Sequence, residues 1–141
     1  MKIYGSKIGR IFFARLSEDE DLLEAITLRA KQAGVITGFF ILIGALKRAT
    51  LGFYRKREYR PIEIPDPVEI VSCTGNISIK QEEPIVHAHI LVSDEKGKVL
   101  GGHLLPGCAV SVNAELVLIE AADLRLRRVL DERTNLHLWE A

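Results

Sequence analysis

After Gly34 the chain turns to runs of β-branched and aromatic residues, and this is the strongest limit on what it can fold into. Val35 to Thr50, Leu51 to Glu58, Val68 to Cys73, Asn76 to Gln81, Ile85 to Ser93, Ala109 to Ala121 and Leu124 to Val129 all read as strands or strand pairs. Strands that follow one another without helices between them pair antiparallel. Pro61, Pro65 and Pro67 mark a polar connector, and Gly75-Asn76 reads as a turn between hairpin strands. Upstream, Arg10 to Leu16 is a short strand that runs into Ser17-Glu18-Asp19-Glu20, a capping-box pattern at which a helix is expected to start. Leu22, Leu23, Ile26, Ala30 and Ala33 give that helix an apolar stripe of about four turns, and Gly34 stands where a left-handed stop belongs. The expected class is α+β: an antiparallel, strongly twisted β-sheet with one main flanking α-helix near the N-terminus.

A length of 141 residues suits a single domain, 1–141. With 48% hydrophobic residues the chain is apolar for a monomer, so an oligomer that hides a second surface is expected. Nineteen acidic and nineteen basic side chains cancel, which is not the electrostatic footprint of a general nucleic-acid binder. Cys73 and Cys108 are too few for a disulfide framework, and buried thiols are expected. The N-terminus has no apolar leader core. Val35 to Leu46 is shorter than a membrane span and broken by Thr37, Gly38 and Gly44. A soluble, cytoplasmic protein without membrane contact is the expectation.

Three of the four histidines, His87, His89 and His103, fall close together in His87-Ala-His89 and Gly101-Gly102-His103-Leu104. Three neutral imidazoles leave a position open on a zinc-type ion, which is how catalytic metal sites are built. In the strand from Ile85 to Ser93 the apolar Val86, Ala88, Ile90 and Val92 take one face, so His87 and His89 share the other, about 6.6 Å apart along the strand. The turn Asp94-Glu95-Lys96-Gly97 decides whether His103 joins them. A two-residue loop at Glu95-Lys96 would set His103 opposite Ala88, on the apolar face. Asp at the first position and Gly at the fourth instead favour a type I turn followed by a left-handed glycine, which pairs Asp94 with Lys98 and His103 with His89. The donor set fits Zn2+ or another divalent metal; the alternative is a half-exposed polar strand face.

The strand from Ala109 to Glu120 carries Glu115 on its mixed face, either as a partner or general base beside a metal, or as a rim carboxylate paired with an arginine. Lys47-Arg48, Arg55-Lys56-Arg57 and Arg60 are interleaved with Phe53, Tyr54 and Tyr59. Period-two alternation divides them between two faces, which favours a solvated edge or subunit-boundary ion pairs over a nucleic-acid groove. Arg125 and Arg127 share a strand face near Glu120, Asp123 and Asp131. His137 lacks histidine company and reads as an ordinary strand or interface residue.

Taken together, the strand, capped helix and long antiparallel sheet, with His87-Ala-His89, Gly101-Gly102-His103-Leu104, Gly107, Glu115 and the early Ile41-Leu42-Ile43-Gly44-Ala45 strand, resemble the PPC (plants-and-prokaryotes-conserved) domain family, prokaryotic single-domain type. The likeness runs from Gly9 to about Trp139. It implies a homotrimer in which neighbouring sheets meet. Plant members carry AT-hooks and assemble DNA-binding proteins, and prokaryotic members are often labelled DNA-binding, so DNA or a DNA-binding partner is an implied alternative. No Arg-Gly-Arg-Pro hook is present in this chain. The family fold is similar to that of acetolactate decarboxylase, which holds zinc with a His-X-His pair and a later histidine. His87, His89 and His103 match that set in type and order, and nothing further of its reaction carries over.

Overall fold

A computed structural model describes residues 2–140. The chain runs β1 (Ile8–Ser17), α1 (Leu22–Ala33), β2 (Gly38–Arg55), β3 (Glu58–Ile64), β4 (Val68–Lys80), β5 (Glu83–Ser93), β6 (Val99–Leu104), β7 (Ala109–Ala121), β8 (Arg128–Asp131) and β9 (Leu136–Trp139). Mostly antiparallel sheet with a single helix among the described residues agrees with the α+β expectation. The main sheet is ordered β1-β7-β2-β4-β5-β6, with β3 on β2 and a separate β8–β9 hairpin.

β2 is long enough to serve two sets of neighbours. Its first half lies between β7 and β4, while its second half pairs with β3 and, through Leu51 and Gly52, with Leu104 and His103 of β6. The strands β2, β4, β5 and β6 thus close on one another. Their inward residues, including Phe40, Leu42, Leu51, Ile77, Ile90 and Leu104, form one core with Leu22, Ile26 and Ala30 of the helix. The helix packs on β5, β1 and β7. The opposite face of the sheet carries Phe13 of β1 and Phe39, Ile41 and Ile43 of β2 outward, with Phe13 81% exposed.

Several sequence expectations change in the folded chain. Ser17 stays in β1 and does not cap the helix. Asp21 is the N-cap, its carboxylate accepting from the Leu23 and Glu24 amides. The capping box is half used, since Glu20 Oε2 accepts from the Ser17 amide at 2.6 Å, and the helix is 12 residues, about three turns. Asp21 is preferred because its second oxygen also accepts from Gly107 N at 2.7 Å, a long-range bond that Ser17 does not make. Gly34 ends the helix at φ 66, as expected.

Gly75-Asn76 is not a turn but the middle of β4; the reversal falls at Gln81 and Glu82, both at positive φ. Pro61 lies inside β3, paired with Gly52; β3 has one partner strand, so a missing N–H on its free edge costs no ladder bond. Leu124 to Arg127 lie outside the named strands, with β8 beginning only at Arg128, because the Leu126 carbonyl accepts from the Ile79 amide and its side chain plugs the core. Cys73 and Cys108 are free and buried, and burial pushes their thiols up to about 12 and about 11.

Candidate metal centre

The hairpin joining β5 to β6 has the loop that the residues Asp94 to Gly97 demand. Gly97 stands at φ +78, its amide bonds Asp94 O at 3.0 Å, and Asp94 N bonds Lys98 O at 3.1 Å. The Asp94 carboxylate accepts from the Lys96 and Lys98 amides, both at 2.9 Å, and locks the turn. The resulting register places His103 opposite His89. His87, two residues along β5, completes the group. One nitrogen of each ring lies within 4.8 Å of the others, and the ring centroids are 5.0 to 5.5 Å apart.

Two glycines let the rings approach. A Cβ on Gly75 would meet the His87 carbonyl oxygen at 2.4 Å, so β4 can lie close beneath His87 only without a side chain. At Gly52 a Cβ would stand 3.0 Å from the Tyr59 ring, which stacks on His103 with centroids 4.2 Å apart. That aromatic lid, together with β5, leaves His103 Nδ1 buried and without a hydrogen-bond partner. A buried ring nitrogen without a partner is costly, and a cation held at its lone pair would satisfy it.

Electrostatics keeps the rings ready for a metal. Burial first, and then the nearby charges of His87, His89 and Arg128, hold His103 down to about 4; burial and the Arg128 charge also lower His87. Both are neutral ligands at neutral pH. The donor set, three imidazoles around one point with an orphaned nitrogen among them, fits a zinc-type ion.

Glu115 is not brought to this cluster within the subunit. It lies on β7 opposite Ile43 and Arg15, on the outward face that also bears His89, but β2 and β4 intervene. Three strand spacings put it roughly 14 Å from β5. His137 does have histidine company: with Tyr59, His87, His103 and Arg128 it lines a cavity of about 180 Å³ beside the rings. Arg128 and Tyr59 are the site residues that the sequence reading missed. Their approach depends on where the β8–β9 and β2–β3 hairpins dock, for which Arg127-Arg128 and Glu58-Tyr59 give no local sign. Arg125 and Arg127 both pair with Glu82, and Glu120 pairs with Arg10 instead of with them. Of the basic stretch, Lys47 is tied to Glu18 and Asp19, and Arg57 bonds the Glu132 carbonyl.

A family model for the Plants and Prokaryotes Conserved (PCC) domain matches residues 4–122. The chain belongs to this family. Among solved PCC-like structures, a metal-containing protein of Archaeoglobus fulgidus is 33% identical, with full coverage of both chains and a TM-score of 0.91. A plant- and prokaryote-conserved (PPC) protein of Pyrococcus horikoshii is 34% identical over 100% of this chain and 98% of its own, again at 0.91. A candidate DNA-binding protein of Bacteroides thetaiotaomicron is 27% identical over 95% and 94% of the two chains, at 0.86. The curated protein GlmU of a Synechococcus strain, called bifunctional, is 31% identical over 127 residues; these are 89% of this chain but only 20% of that protein. The chain thus spans about a fifth of the length of the curated relatives it matches. No helix among the described residues of this PCC domain is long and apolar enough to cross a membrane.

Proposed function

We propose that this PCC chain, folded as one domain, is a homotrimeric metal-binding protein whose zinc-type divalent ion is held by His87, His89 and His103. The observation that carries this reading is the convergence of one nitrogen from each of the three rings to within 4.8 Å, in a cluster whose His103 also has a buried, unpartnered Nδ1. The metal-containing protein from Archaeoglobus supports it, with the same fold over its whole length. An ion of this kind, held by the three rings, would polarise a carbonyl or lower the pKa of a bound water to about 7. The chain's own part is to orient the rings: the Asp94–Lys98 turn sets their register, Tyr59 shields His103 and Arg128 abuts His87.

Trimerisation is supported by the outward apolar face, where Phe13 of β1 and Phe39, Ile41 and Ile43 of β2 flank Val117 and Ile119 of the intervening β7. A contiguous patch of this kind is best covered by a second and third copy of the same chain. Glu115, the candidate catalytic carboxylate, lies on that face, and its use as a base requires a neighbouring subunit to bring it to the ion. The two free, buried cysteines accord with a reducing, cytoplasmic setting. The match to acetolactate decarboxylase is one of donor type and order, and supports the metal alone.

Elemental analysis after reconstitution tests the centre. About one zinc per chain is expected in the wild type and a large loss in His89→Ala; no metal in the former, or equal metal in both, refutes it. The second reading, a DNA-associated or regulatory module acting through its trimer, is favoured by the Bacteroides protein's description. It predicts duplex binding that weakens steeply with salt, and an absence of anisotropy change at low salt would remove direct contact.

A further inference from the structure

Arg128 is a half-buried cation whose partners among the described residues are all neutral. Its Nε donates to the fully buried Ser78 Oγ at 2.7 Å, Nη1 to the His137 carbonyl at 2.8 Å, and Nη2 to Asn76 Oδ1 at 3.0 Å. Nη2 also faces His87 Nδ1 at 3.2 Å, and the guanidinium sits over the Trp139 ring. No carboxylate among the described residues pairs with it, and burial lowers its pKa. A buried charge without a counter-charge is costly, and a divalent ion in the adjacent histidine cluster would add to the positive excess. The cavity beside these groups is therefore built for something negative.

The His87 contact adds a second constraint. A guanidinium only donates, so His87 Nδ1 must accept, and a neutral imidazole that accepts at Nδ1 carries its proton on Nε2. Held in this way, His87 has no lone pair left for a metal at either nitrogen. Arg128 and an ion thus compete for the same ring. With an ion held at His87 the Nη2 N–H would be released; Nη1 already has one N–H without an acceptor among the described residues. Arg128 then offers one N–H from each terminal nitrogen, the number that a carboxylate pair of oxygens accepts.

We propose that Arg128 is the anion-binding residue of the histidine pocket, that it takes the carboxylate of a small organic acid, and that metal loading frees it to do so. The counter-charge argument stands on Arg128 itself; the order of events rests on the metal reading above. The cavity, about 180 Å³, lies below the ~300–1,000 Å³ of pockets that enclose drug-sized ligands, which suits a small acid. Val86, Leu136 and Leu138 on its wall suit a short aliphatic tail better than inorganic phosphate.

Calorimetric titration of propionate and of inorganic phosphate into zinc-loaded and chelator-treated protein tests this, with Arg128→Gln and Arg128→Lys as variants. Zinc-loaded wild type should bind propionate about tenfold or more tighter than the chelated form and tighter than phosphate, and either variant should lose about tenfold or more. Zinc affinity should rise in Arg128→Gln, because a competitor for His87 and a neighbouring positive charge are both gone; a purely structural arginine would leave it unchanged or lower it. Unchanged propionate affinity in the folded variants, or a preference for phosphate, overturns the proposal. If zinc binds and propionate does not, the anion site falls alone. If no zinc binds yet propionate protects the wild type and not Arg128→Lys from thermal unfolding, the anion site stands and the metal reading falls.

Discussion

Mild acid should destabilise the metal-free protein through His103. The folded state holds this imidazole at about 4, below its ordinary 6.5, chiefly because the ring is buried beneath Tyr59. On unfolding it returns to the ordinary value. Between those two pH values the unfolded chain binds more protons than the native one, so stability rises with pH: the contribution is whole above about pH 6.5 and is lost as pH falls toward 4. At about 1.4 kcal/mol per pH unit, the full window is worth about 3 kcal/mol, a large share of the ~5–15 kcal/mol that holds a typical domain together. Urea unfolding followed by circular dichroism, on chelator-treated wild type and His103→Phe at a fixed protein concentration from pH 7.5 to 4.5, isolates the effect. Phenylalanine keeps the stack on Tyr59 but cannot titrate, and carboxylates common to both proteins cancel. The wild type should lose up to about 3 kcal/mol more than the variant across the window. Parallel losses would show that His103 is not desolvated in the folded state, and the argument for a neutral, metal-ready ring would go with it.

Other substitutions separate packing from backbone effects. Gly75→Ala forces a Cβ to 2.4 Å from His87 O and 2.8 Å from the Phe40 ring, so β4 and β5 must part; about 1–3 kcal/mol of stability and much of the zinc affinity should be lost in urea and zinc titrations. Unchanged zinc binding would mean that this close approach does not seat His87. Gly97→Ala meets open space at φ +78, so it should cost only about 1–2 kcal/mol of backbone strain while the folded variant binds zinc like the wild type. Weakened zinc binding in that folded variant would show a shifted register. Ile41→Glu, on the outward face at 50% exposure, should turn the proposed trimer into monomer in light scattering without loss of β-sheet signal; a trimer that survives would point to another interface.

The histidine trio was legible because everything that sets it is local. Period-two alternation gives the face, and the short turn from Asp94 to Gly97 carries its own register in the preference of one glycine for positive φ. Gly34 was legible in the same way. Gly75 was misread for an instructive reason: in sequence a glycine before asparagine looks like a turn, whereas here it makes room for a neighbouring strand and the Phe40 ring. Asp21 won the helix cap from Ser17 through a bond to Gly107, 86 residues away.

What the sequence by itself determined, then, is the α+β class, the strand faces and the three-ring cluster, since side-chain periodicity and turn chemistry act over a few residues. Only the tertiary structure decided that β2 pairs with four other strands, that Tyr59 covers His103, that Arg128 contends for His87, and that Glu115 stands three strands from the rings. Those relations join segments distant in the chain, and they depend on how hairpins dock to bury a shared core. No local preference encodes that choice.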